Sequence, residues 1–175
     1  MRQVALAVVV MMAATSAFAQ SATEKTGVNS LLGVAPSTQD FVNEASMSDI
    51  FEIASSNLAL ERADGATKDF AQKMVQDHQK TTMELQQLIK DGKVQATPAS
   101  AMSDDQKSKL DNLKQLQSSD FVKRYQDDQI KAHKDAVDLF KRYADGGDNQ
   151  DLKAWAANTL PTLQHHLTMA QDLEK

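Results

Sequence analysis

Four stretches of about 25 residues carry apolar side chains at helical spacing, and no strand-like alternation separates them. That pattern is the strongest constraint on the fold. The clearest stretch runs from about 67 to 91. At about 100° per residue, Phe70, Ala71, Met74, Val75, His78, Leu85, Leu88 and Ile89 share one side, while Lys68, Asp69, Gln72, Lys73, Gln76, Lys80, Glu84 and Lys90 share the other. Gly92 supplies its stop. The stretch before it, about 38 to 63, opens with Ser37 as N-cap and Asp40 in the first turn. It centres its core side on Val42, Ala45, Ile53, Ser56, Leu60 and Ala63, with Asp49 and Glu52 on that side too. Gly65 marks the turn between the two.

After a linker over 93–102, Ser103-Asp104-Asp105-Gln106 is a capping box that opens a short helix with Leu110, Leu113 and Leu116. Ser118-Ser119-Asp120 is expected to interrupt it and cap the third long helix, about 120 to 145. There Val122, Tyr125, His133, Ala136, Val137, Phe140 and Ala144 face inward and Arg142 points away. Gly146-Gly147-Asp148 should end that helix and cap the fourth, about 149 to 174, which buries Leu152, Trp155, Thr159, Leu163, His166, Ala170 and Leu173. Pro161 should kink it. The expected fold is all-α: a four-helix bundle over 37–174 with a short extra helix between its second and third members.

Residues 1–19 read as a signal peptide: Arg2 is the basic start, Val4 to Ala14 the apolar run, Ala17-Phe18-Ala19 the cleavage motif. Residues 20–36 read as a flexible leader, and the mature chain is expected in the periplasm or outside the cell. Without Arg2, the 19 basic residues become 18 against 24 acidic ones, a formal charge of −6. That balance speaks against nucleic acid as a partner. The apolar run is too short to span a bilayer, so no integral membrane segment is expected after cleavage. With no cysteine there is neither disulfide nor thiolate metal site.

Three of the four histidines, His78, His133 and His166, fall on the apolar stripes of three different helices, whereas His165 points about 100° away from His166. A buried imidazole needs a partner, and imidazoles converging with a carboxylate suit a divalent metal ion. The expected metal set is His78, His133 and His166 with Glu52. Asp49 is an alternative anion, and Gln129 could orient a ring. Glu52 and His78 each lie 13 residues from Gly65 and should share a level; His166 should sit roughly 8 Å further along than His133. The other reading of the same residues is a metal-free structural or stress-related interaction module with core-bonded or pH-sensing histidines.

A di-iron centre would need a Glu-x-x-His on two helices, and the sequence has none. Tyr125 and Tyr143 read as packing residues ahead of proton relays. The methionines are scattered and read as gap-fillers rather than copper ligands. No nucleophile elbow, phosphate loop or zincin motif is present, so a hydrolase or transferase has no support; a metal-dependent redox activity stays open. Met47, Phe51, Ala54 and Leu58 form a second apolar stripe on the first long helix, expected either to lie under the short helix or to make a homodimer interface.

The segments "FAQKMVQDH" (70–78), "HKDAVDLF" (133–140) and "TLPTLQHHLTMA" (159–170), together with Glu52, resemble the bacterial domain-of-unknown-function family four-one-four-two over about 37–174. The resemblance implies a ferritin-like bundle and an exported protein. It implies no activity, because the family is defined without one.

Overall fold

The structure is a computed structural model and describes residues 28–173. The expected signal peptide over 1–19 and residues 20–27 of the expected leader lie outside that range. Among the described residues there are six helices and no strand: α1 Val28–Leu32, α2 Thr38–Arg62, α3 Gly65–Lys90, α4 Asp104–Gln115, α5 Ser118–Gly146 and α6 Gln150–Asp172. No helix among them is long and apolar enough to cross a membrane.

Local chemistry sets the ends. Ser37 caps α2 by accepting from the Asp40 N–H, and Ser103 and Gln106 form the full capping box on α4. Gly92, at φ +72°, lets the chain leave α3 through paired bonds from Gly92 N–H to Ile89 O and from Lys93 N–H to Leu88 O. Two expected caps fall elsewhere. Asn149, not Asp148, caps α6 by accepting from the Leu152 N–H, because Asp148 is engaged by Thr38 and Tyr143. Ser118-Ser119-Asp120 lies inside α5: only Leu116 and Gln117 separate it from α4, and Ser118 makes the sharp reversal at φ +49°. Part of the expected leader is ordered as α1, tied to α5 by Ser30 on Asp138 and by Arg142 on the Val34 carbonyl. That contact explains why Arg142 is buried rather than pointing away.

α2 and α3 form one antiparallel hairpin, α5 and α6 the other. Phe41 stacks on Tyr143 while Ser56 meets Tyr125, so α2 runs antiparallel to α5. Trp155 donates to Glu84 and His166 meets Asp77, so α3 runs antiparallel to α6. Helices α3 and α5 are therefore parallel on a diagonal, and the connection through α4 must cross the length of the bundle. Glu84, expected on the solvent side, is half-buried under Trp155 because α6 flanks that edge of α3. α6 continues through Pro161; Pro161 and Ala157 are both exposed, which leaves the freed carbonyl within reach of water.

α4 packs on α2 and α5, with Leu113 fully buried and Arg62 bonded to the Lys114 and Leu116 carbonyls. It packs along the side of α2 that carries the second apolar stripe, where Phe51 is only 2% exposed and Met47, Ala54 and Leu58 stay partly exposed. The core then divides in two. One cluster holds Phe41, Val42, Leu85, Phe140, Tyr143 and Leu152; the other holds Ala59, Phe70, Met74, Leu113, Phe121 and Tyr125. Between these clusters, each of the four long helices contributes buried polar residues: Asp49 and Glu52 (beside the apolar Phe51), His78, Gln129 and His133, and His166.

Candidate metal centre

His78, His133 and His166 meet in that polar layer. Their ring centroids are 5.3 to 5.7 Å apart, and none is more than 3% exposed. One ring nitrogen from each can be chosen so that all three lie within 4.8 Å of one another. His166 thus shares a level with His133, against the axial offset expected from residue counts. Cα–Cβ bonds tilt toward the N-terminus of each helix. On antiparallel α5 and α6 the two rings therefore lean toward each other, closing the gap.

Each imidazole is held at its outer nitrogen. His78 Nδ1 lies 2.8 Å from Asp49 Oδ1, His166 Nε2 lies 2.7 Å from Asp77 Oδ2, and His133 Nδ1 lies 2.9 Å from the Gln129 carbonyl one turn back. All three partners are acceptors, so in the neutral rings each outer nitrogen carries the proton and the inner one is left with a lone pair. The inner atoms, His78 Nε2, His133 Nε2 and His166 Nδ1, are buried with no hydrogen-bond partner. Asp49 is itself fixed by the Thr81 and Thr82 hydroxyls at 2.9 and 2.8 Å. Asp77 pairs with Lys73 at 2.9 Å.

The charges follow from these contacts. Burial and the two neighbouring imidazoles push His133 down to about 3. Burial also takes His166 down to about 4, against the pull of Asp77. Burial lowers His78 as well, but its bond to Asp49 and the charges of Asp49 and Glu52 more than offset this, and it ends above the ordinary value. Asp77, which burial would raise, is held below its usual range by Lys73 and His166. Glu52 is pushed up to about 7 by burial, moderated by His78 and by the adjacent Gln129 amide. Neither of its oxygens has a hydrogen bond of good geometry.

The expected metal residues therefore divide. The three histidines form the closed set, and Glu52 stands beside His78 outside it. Asp49, weighed as a ligand, orients His78 instead. Gln129 orients His133, but through its main-chain carbonyl; its side-chain amide donates to Ser55. The role of Asp77 was missed. It sits next to His78 in sequence, yet serves His166 on another helix, and one helix's periodicity carries no sign of that. His165 is exposed, as expected.

Fold and site together define a class: an all-helical bundle protein whose core is cut by a layer of three buried, outward-anchored histidines. The chain belongs to the family described as domain of unknown function (DUF4142), whose model matches residues 18–173. No curated protein and no solved structure matches it.

Proposed function

We propose that this is an exported, ferritin-like bundle protein that binds one divalent metal ion through His78, His133 and His166, with Glu52 as the neighbouring carboxylate. One observation carries the reading: three inner imidazole nitrogens, each left with a lone pair by an acceptor on its far side, gather within 4.8 Å with no donor to satisfy them. Three buried lone pairs facing one another repel, and a cation turns that repulsion into coordination. Carboxylate and carbonyl anchors on metal-bound histidines are the usual means of fixing tautomer and ring direction. The all-nitrogen set favours zinc, copper, iron or nickel over magnesium or calcium. The single long crossover between α3 and α5 supports the ferritin-like assignment. Arg2, the apolar run from Val4 and Ala17-Phe18-Ala19 support export.

The experiment is elemental analysis of the chain expressed with its leader, without a histidine tag, and purified free of chelator. About one equivalent of a transition metal is expected, falling to background in the His78→Ala and His133→Ala double variant. A metal content equal to that of the double variant would contradict the reading. A second reading, in which a proton takes the place of the ion, is favoured by one pairing: Glu52 and His78 are both raised and lie side by side. In that case the purified chain holds no metal and added metal leaves its melting unchanged.

A further inference from the structure

The four long helices do not contribute alike to the centre. α3, α5 and α6 each supply a histidine; α2 supplies Glu52, which is fully buried yet stays outside the set of donor atoms that close on one another. Three protein donors with one side left free is the arrangement of metal sites that exchange a ligand, whereas structural sites are closed by four.

The free side has a definite hydrogen-bond character. Ser55 on α2 points its hydroxyl at the Glu52 main-chain carbonyl, at 3.3 Å, so its oxygen is left to accept, and the Gln129 amide nitrogen donates to it at 3.3 Å. This fixes which end of the Gln129 amide is which. Its oxygen is left buried without a partner, as are both oxygens of Glu52. Three buried acceptor oxygens therefore lie in the layer of the three imidazole lone pairs, and the N–H left over beside them is the second hydrogen of the Gln129 amide, which Glu52 faces, so acceptors outnumber donors. Buried acceptors of this kind are normally matched by a donor. A ligand that met both sets would coordinate through a lone pair on one end and donate hydrogen bonds from the other.

Resting on the metal reading above, we propose that the side of the ion facing α2 is an open coordination position for one small protic molecule, such as water, hydrogen peroxide or a comparably small O–H or N–H compound. Glu52 and the Gln129 side-chain oxygen receive its protons in hydrogen bonds, and Glu52 is not a fourth protein ligand. With centroids only 5.3 to 5.7 Å apart and all three rings buried, the layer excludes larger organic molecules. Aprotic anions such as azide would present lone pairs to three acceptor oxygens and are disfavoured.

The test uses the mature chain loaded with cupric ion in water enriched in the magnetic oxygen isotope, read by electron–nuclear double resonance. Couplings from three imidazole nitrogens report the metal reading, and their absence would end that reading and this proposal with it. Given those couplings, an additional oxygen coupling from one bound solvent molecule is expected; three nitrogens without it would overturn the proposal. The Glu52→Gln variant offers an N–H where the carboxylate only accepted. Azide is expected to bind its cupric form, giving a new charge-transfer band, at concentrations that leave the wild-type spectrum unchanged. Equal azide binding by both would overturn the proposal as well.

Discussion

His133 is the one histidine of the centre whose anchor is a main-chain carbonyl rather than a carboxylate, and it shows what the polar layer costs. Its inner nitrogen is buried without a partner, and an unsatisfied buried polar atom costs about 1–3 kcal/mol. His133→Leu is therefore expected to raise the melting temperature of the metal-free protein by a few degrees, about 2–4 °C per kcal/mol. The same change should abolish any response to metal; thermal scans of stripped protein with and without zinc check both halves.

The pH dependence of the stripped protein follows from the same side chains. His133 and His166 resist protonation until about 3 and 4 when folded, while the unfolded chain protonates near 6.5. Their contribution is complete above that value and is lost as pH falls toward 4 and 3. Glu52 acts oppositely. Folded, it ionises near 7, so its contribution is present below its unfolded value of 4.5 and is lost as pH rises through 7. His78, raised on folding, is likewise lost on the alkaline side. The site's net contribution should peak near the ordinary histidine value, about 6.5. In a melting series from about pH 4 to 8, Glu52→Gln should flatten the alkaline decline and steepen the acid limb between 4.5 and 6.5, where Glu52 opposes the two histidines.

At the scale of elements, α4 is the piece that makes the bundle self-sufficient. It buries Leu110 and Leu113 and lies against the α2 stripe that contains Phe51. Phe51→Asp places an unpaired charge there and is expected to lower the melting temperature by more than 5 °C, about 2–3 kcal/mol or more. Sedimentation at native temperature should be unchanged, since Phe51 is buried within the chain; a wild-type dimer that this variant splits would show the stripe to be an intersubunit surface.

Helix identity and much of the inward face of each long helix were legible in the sequence, because a 3.6-residue repeat is a property of one segment, although α2 buries Phe41, Ser55 and Ala59 and leaves the expected Ile53 and Leu60 only partly buried. The Ser37 cap and the Ser103–Gln106 box were legible for the same reason. What needed coordinates was everything between segments: the running direction of α3 against α5, Asp77 reaching His166 on α6, and Arg142 turned inward by α1. The levelling of His166 with His133 depended on side-chain tilt, which residue counts leave out.

Across the whole molecule, two apolar clusters would make a more stable protein if the layer between them were apolar too. Four helices instead each contribute polar side chains at one level, and the three imidazoles are aimed inward by separate anchors. A melt of the chelator-stripped chain against zinc, copper, manganese and ferrous iron tests that reading most directly, with His78→Ala and His165→Ala alongside. A bound ion at a hundredfold excess over its dissociation constant stabilises by about 2.7 kcal/mol, a rise of about 5–10 °C. At least one metal is expected to produce that rise in the wild type and in His165→Ala, but not in His78→Ala. No shift with any metal, or equal shifts in the two variants, would contradict the assignment of the buried histidines as a metal centre.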